Sequence, residues 1–458
     1  MRLGLKQIGG VVAASATLFT GSGVVASTAA ADDRRENRVL VVMVDFQDRA
    51  HVGPAAVKAD FAAKYFGAEN SLKSYYDRVS SGKTAYVPAV PEKVIGPFKL
   101  PMKGAGCNAG EIKMKTLELL EAKGLKRGED YDSLSMASPR IGCSWSGLGS
   151  IGGPYTWIQA PNAFANLGVV VHEFGHNLGY PHQPGIVCQD GRLTDCVNGR
   201  GGKSPMGGGG GTRVGLTATQ LIHSGWLTAA EHQRVTSSGT FTLRSLYGKQ
   251  GGLRALEVPF GEDKLVLEYR RPEGGLDEGL DGVYAYRVTK QKYAGALQLR
   301  VGTNDGDGAI TRFTDTAHKL KVSVTAKDAA GARVEISMNG EAPPTDTAAA
   351  PPVEPVTAAP PAHPSELKDD APVTHEDHEP PADDTTDDAG TTTADSGMPG
   401  STPDDASHAA DTGTEGAERL AVTGGDATTL VLSTAGAALL LLLGTFLGLA
   451  GRRRRARR

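Results

Sequence analysis

The chain has 458 residues and a formal net charge of -4, with 39% hydrophobic and 22% charged residues. That length suits two or three domains, and the near-neutral balance gives no global reason to expect a nucleic-acid partner. Charge is nevertheless segregated: residues 341–419 carry many Asp and Glu against only Lys368 and Arg419, and residues 452–458 are arginine apart from Ala456.

Residues 1–31 carry Arg2 and Lys6, then an apolar run broken by small residues, then Ala29-Ala30-Ala31. This is the pattern of a secretory signal with a small-residue cleavage site, so the mature chain is expected to begin near Asp32, outside the cytoplasm. A transmembrane anchor is the alternative, and the glycines at 9, 10, 21 and 23 weigh against it. Export gives the four cysteines a meaning: Cys107, Cys143, Cys188 and Cys196 are expected to form two disulfides, with three pairings open. Cys107 with Cys143 and Cys188 with Cys196 is favoured, because each pair stays on one side of the histidine-bearing helix described below. A cysteine zinc site lacks the close C-x-x-C spacing.

Residues 38–46, rich in β-branched side chains and bounded by polar segments, predict a buried first strand. It starts so near the mature terminus that no folded pro-domain is expected before it. Residues 61–79 place Phe61, Tyr65, Leu72, Tyr75, Tyr76 and Val79 at helical spacing, interrupted near Gly67. Residues 111–123, with Ile112, Met114, Leu117, Leu119 and Leu120 among charged residues, predict a second helix on the sheet. Residues 144–158 hold too much glycine for a helix.

Residues 161–179 predict a helix carrying His-Glu-Phe-Gly-His, which puts His172 and His176 one turn apart on the same face, able to hold one metal ion. Gly179 supplies the residue that ends the helix and turns the chain back, so that His182 arrives as a third ligand. Three imidazoles leave one tetrahedral position of a Zn2+ ion to water, the arrangement of a catalytic site. Glu173, beside the first ligand, is placed to move protons rather than to bind metal. Residues 183–203 are expected to form a loop across the floor of the site, pinned by Cys188 and Cys196. Residues 216–227 predict a closing helix capped by Thr217; His223 on it is read as structural.

His172-Glu173-x-x-His176-x-x-Gly179-x-x-His182 resembles the zinc signature of the metzincin metallopeptidases. The resemblance implies a methionine turn beneath the metal, which Ser204-Pro205-Met206-Gly207 supplies. It also implies that residues 147–153 are an exposed sheet edge to which an extended peptide adds by main-chain hydrogen bonds, a flexible loop being the alternative for so glycine-rich a stretch. Ser74-Tyr75-Tyr76 and the passage through Lys83, with the closing helix, is similar to gametolysin-like peptidases over about residues 38–227. The resemblance therefore implies an α/β (α+β) metzincin-type catalytic domain with a zinc-binding helix, acting as a zinc endopeptidase on protein or peptide substrates.

From residue 233 to 340 short alternating runs separated by Gly, Pro and Asp turns predict a small all-β domain. Asn304-Asp305-Gly306-Asp307-Gly308 has the composition of a Ca2+ loop, but its glycine is misplaced and no glutamate closes it, so a hairpin turn is preferred. Residues 341–419 lack the apolar surface to fold and predict a disordered acidic stalk. Residues 420–458 end the chain with Leu420-Ala421-Val422-Thr423-Gly424, an apolar stretch at 427–450 long enough to span a bilayer, and the arginine cluster. The order resembles an L-A-x-T-G cell-wall sorting signal, which implies a sortase, peptidoglycan and the surface of a Gram-positive-type bacterium; a plain membrane anchor is the alternative. The expected domains are thus 1–31, 32–232, 233–340, 341–419 and 420–458, with a monomer assumed. Rival functions are a surface adhesin with a secondary zinc site and a hydrolase of cell-wall peptides.

Overall fold

The structure, a computed structural model, describes residues 34–160, 165–207, 211–303, 308–344, 353–355 and 420–424. The signal expected at 1–31, most of the stalk, the loop at 304–307 and the apolar span at 427–450 lie outside the described residues. Among the described residues no helix is long and apolar enough to cross a membrane.

The first layer is a sheet built around β1 (Arg35–Asp45), which pairs in parallel with β2 (Thr84–Pro88), β3 (Val94–Lys99) and β4 (Ser133–Pro139). β1 reads as a continuous apolar run because both its faces are covered. Val39, Val41 and Met43 pack towards α1 (Pro54–Phe66), α2 (Leu72–Val79) and α4 (Leu167–Asn177). Leu40, Val42 and Val44 pack towards α3 (Ala109–Ala122). The helical pattern expected over 61–79 is two helices, broken between Gly67 and Ser71, where Ser71 makes a capping box with Ser74. In α3 the buried stripe is Ile112, Thr116 and Leu120, whereas Met114 is 54% exposed, so its place in the expected core is corrected.

The glycine-rich stretch is a hairpin, β5 (Trp145–Ser150) and β6 (Tyr155–Ala160), rather than one strand over 147–153. β6 joins β4 in parallel and β5 turns back antiparallel beyond it. Residues 151–154 make the turn because Gly152 takes a positive φ of 72°.

Residues 183–203, expected as a loop, instead form a hairpin of β7 (Gly185–Gln189) and β8 (Arg192–Gly199), closed by the Cys188–Cys196 disulfide; Cys107 and Cys143 form the other. The hairpin pairs with a second sheet rather than the first. The 3-10 turn Pro205–Gly207 and α5 (Ala218–His223) follow, α5 being shorter than the expected 216–227 but capped by Thr217 and Gln220 as a capping box.

Beyond α5 come β9 (His232–Val235), β10 (Gly239–Leu243), β11 (Ala255–Phe260), β12 (Asp263–Arg270), β13 (Gly282–Val288), β14 (Leu297–Val301), β15 (Arg312–Asp315), β16 (Leu320–Lys327) and β17 (Ala332–Ser337). Two further short strands are β18 (Val353–Pro355) and β19 (Leu420–Gly424). β18, within the stretch expected to be disordered throughout, pairs with the open edge of β9. The strands make an eight-stranded sheet, β18-β9-β11-β12-β13-β14-β7-β8, against a four-stranded one, β10-β17-β16-β15.

β12 shows how the eight-stranded sheet is placed. Its Leu265, Leu267 and Tyr269 point into the sandwich core with Phe241, Val334 and Ile336. The alternate residue Val266 joins Tyr284, Tyr286 and Val288 of β13 in the same core as α1, α2, α4 and α5. One face of the sheet therefore belongs to the sandwich and the other is the floor beneath the helices.

Candidate metal centre

α4 starts at Asn166, whose side chain accepts a hydrogen bond from the Gly168 amide at 2.9 Å, and ends where Gly179 takes φ 89°. The helix is shorter than the expected 161–179, and residues 161–164 lie outside the described set. The reversal at Gly179 brings the Tyr180 amide to the Gly175 carbonyl at 3.1 Å, and the Tyr180 carbonyl to His176 Nδ1 at 2.6 Å. On the previous turn, His172 Nδ1 lies 2.8 Å from the Pro205 carbonyl. A carbonyl can only accept, so both Nδ1 atoms carry the proton, and both Nε2 atoms present lone pairs inward.

His182 completes the group. Its Nε2 lies 3.2 Å from His172 Nε2, and the ligand atoms of His172, His176 and His182 all fall within 4.8 Å of one another. Two imidazole nitrogens on one tetrahedral zinc at its usual bond length stand about 3.3 Å apart, which fits the separation at His172 and His182. His176 Nε2 is buried without a hydrogen-bond partner among the described residues, a state that costs free energy unless something binds there. Burial also favours the neutral, ligating form: it pushes His172 down to about 4 and, helped by the neighbouring His172, His176 to about 2, and it lowers His182 as well. Geometry, tautomer and protonation state all suit a divalent metal ion with nitrogen preference.

Glu173, fully buried, has its carboxylate 4.0 Å from His176 Nε2. Its outer boundary is β5. A Cβ at Gly147 would stand 2.7 Å from Glu173 Oε1, and one at Gly149 would stand 2.5 Å from the Glu173 carbonyl. Only residues without side chains let β5 lie this close to α4. Asn177 fixes the approach, its Nδ2 donating to the Ser150 and Tyr155 carbonyls, each at 3.0 Å.

Met206 is buried beneath the histidines with its sulfur against Gly175, where a side chain would collide with it. The turn that carries it is tied to the third histidine through Gln183. The Gln183 amide donates to the Met206 carbonyl at 2.9 Å, Ser204 Oγ donates to Gln183 Oε1 at 3.0 Å, and Gln183 Nε2 donates to Thr217 Oγ1 at 3.3 Å. Behind the turn, the floor sheet supplies charge. Arg270 is fully buried between Glu268 and Asp277, and donates to the carbonyls of Gly215 at 3.0 Å and Lys203 at 3.4 Å. Asp277 accepts from the Gly215 amide at 3.0 Å and Glu268 from the Ala218 amide and, at 2.9 Å, from Tyr286 Oη. Burial raises Glu268, against the lowering pull of Arg270.

The sequence-predicted residues His172, Glu173, His176, His182 and Met206 are thus brought together. His223 stays outside the group, with its ring 5.8 Å from that of Tyr180. Gln183, Asn177, Glu268, Arg270 and Asp277 were missed. The one sequence signal for the last three was a charged pair at alternate positions of β12, Glu268 and Arg270, following the apolar run Leu265-Val266-Leu267.

The gametolysin peptidase M11 family model matches residues 119–314. The match spans the three histidines and runs on into β15, so it starts later and reaches further than the 38–227 expected from the sequence. The floor strands that hold the methionine turn fall inside it. No curated protein matches the chain. Among solved structures the chain is similar to OgpA from Akkermansia muciniphila at 12% identity. One wild-type crystal form covers 58% of this chain and 91% of that one with a TM-score of 0.29, and another covers 66% and 92% with 0.28. The catalytically inactive protein in complex with an O-glycopeptide covers 68% and 95%, with 0.29. The family match supports a metallopeptidase, on a mixed α/β scaffold.

Proposed function

We propose that the chain is a zinc-dependent endopeptidase of metzincin type, exported and displayed at the cell surface. The observation that carries the reading is the convergence of three imidazole Nε2 atoms on one point with a buried carboxylate 4.0 Å from one of them. His172, His176 and His182 would hold the ion, and a zinc bound there supplies Lewis-acid polarisation of the scissile carbonyl and a lowered pKa for the attacking water. Glu173 takes the proton from that water at its carboxylate and returns it to the leaving amine. The buried position of Glu173 under Gly147 keeps bulk water from competing for the proton. β5 binds an extended peptide through its backbone groups, with Gly147 and Gly149 letting it lie directly over Glu173 and His176.

The chain's ends support display: a signal-like start, an acidic stalk, and the Leu420, Ala421, Thr423 and Gly424 motif before an apolar stretch and an arginine cluster. Under this reading a sortase joins Thr423 to peptidoglycan. A pure adhesin would have no need of a carboxylate buried beside a three-histidine cluster, which weighs against that rival.

Replacing Glu173→Ala in the exported chain is expected to keep one zinc per molecule, measured by elemental analysis, while peptide hydrolysis falls by about 10²–10⁴-fold. His182→Ala is expected to lose both. Near-normal turnover in the Glu173 variant would end the proposed mechanism.

A further inference from the structure

β5 is paired on one side with β6, and its other side is taken by the chain's own C-terminal region. β19 (Leu420–Gly424) lies antiparallel on it, with Leu420 opposite Ser150, Ala421 opposite Gly149 and Val422 opposite Leu148. The pairing then skips a position, so that Gly424 stands opposite Trp145 and Thr423 falls at the irregularity, level with Ser146 and Gly147. Gly147 is the residue whose missing side chain lets β5 lie against the buried Glu173 carboxylate. β19 also runs within reach of α4 itself. The segment therefore crosses the same edge, over the same carboxylate, that an extended substrate would use.

We infer that Leu420–Gly424 is the resident occupant of the peptide-docking edge, a tethered competitor that substrate must displace; this rests on the peptidase reading above. The chemistry suits the role. Leu-Ala-Val-Thr-Gly is uncharged, contains two β-branched residues, and pairs through main-chain groups that any extended peptide offers equally well. β5 is an exposed edge without it, and an unpaired edge next to a reactive centre invites unwanted strands. Tethering raises the segment's local concentration, so modest intrinsic affinity is enough to keep the edge filled. While seated, the same five residues are withheld from any other protein that recognises them in extended form.

The test uses the full chain and the double variant Ala421→Pro with Val422→Pro. In an antiparallel pair alternate residues donate to the partner, so proline at two adjacent positions removes a ladder donor whichever of them bears it. Amide hydrogen exchange over residues 145–150 is expected to be about 10-fold faster in the variant, with β1 amides as the unchanged reference. A free Leu-Ala-Val-Thr-Gly peptide at millimolar concentration is expected to restore the slow exchange. On an extended peptide substrate KM is expected to fall about 10-fold in the variant, the ratio for a segment seated about nine-tenths of the time. Equal exchange in the two proteins, or an unchanged KM, overturns the inference even where the enzyme is active. Faster exchange without any hydrolysis by either protein sinks the peptidase reading and leaves the docked strand standing.

Discussion

Gln183 follows His182 directly and holds, through four hydrogen bonds, the two segments that frame the three-histidine cluster. Its replacement by leucine keeps the bulk and removes the polar ties between His182, the Met206 turn and the Thr217 cap. Outer partners of this kind typically change metal affinity by about 10–100-fold, and Gln183→Leu is expected to weaken zinc binding within that range, measured by competition with a chromogenic chelator. The histidines themselves set a pH dependence. The unfolded chain takes protons on them near 6.5, whereas the fold resists until about 4 at His172 and about 2 at His176. Between pH 6.5 and 4 the unfolded state binds more protons, so the metal-free protein loses stability as pH falls through that window. Urea titrations of metal-free protein at pH 7 and pH 5 check this, and the double variant His172→Asn with His176→Asn is expected to show a flatter dependence. At this scale the sequence was readable where spacing alone determines geometry, as at His172, Glu173, His176, Gly179 and His182. It was silent on Gln183 and Asn177, whose side-chain partners lie 21 or more residues away and are chosen by the fold: Gln183 meets Ser204 and Thr217, and Asn177 meets Ser150 and Tyr155.

At the scale of elements, the two hairpins are where sequence reading and structure diverge most, for one reason. Both β5–β6 and β7–β8 contain glycines or polar residues on the side that packs close to another backbone, so the alternation that marks a strand is missing from their letters. Their pairing comes from neighbours, β4 for the first and β14 for the second. The helix α2 was legible from the spacing of Leu72, Tyr75, Tyr76 and Val79, and α5 from its local cap, Thr217, which Gln220 completes. The disulfides close loops of different length, with sequence separations of 36 for Cys107–Cys143 and 8 for Cys188–Cys196. Loop-closure entropy assigns them about 3.8 and about 2.5 kcal/mol. Serine replacements of the first pair are therefore expected to cost roughly 1 kcal/mol more than those of the second, as read from denaturant midpoints.

At the scale of the whole molecule, the β sandwich and the helical layer are one physical object, because the eight-stranded sheet has no solvent face beneath the helices. Val266, Tyr284, Tyr286 and Val288 share a core with Phe174, Met206, Leu221 and Trp226, and Arg270 with its two carboxylates holds the segment from Lys203 to Ala218 from below. Removing one partner from such a buried ionic group strands the others, at a cost of about 3–5 kcal/mol. Arg270→Met is expected to lose that much stability, and with it the placement of the Met206 turn and zinc affinity. The same argument sets the smallest unit that can fold. A chain of residues 32–232 would expose the apolar floor side of α1, α2, α4 and α5 and leave the amides of Gly215 and Ala218 without their carboxylate acceptors. It is expected to be aggregated or to bind a hydrophobic dye, without cooperative unfolding. A chain of residues 32–344 loses only the edge strands β18 and β19, keeps every one of these partners, and is expected to unfold in a single transition and bind zinc with the affinity of the full chain. Cooperative unfolding of the shorter piece, followed by circular dichroism, would show that the floor sheet is dispensable and that the shared core is only a contact between independent units.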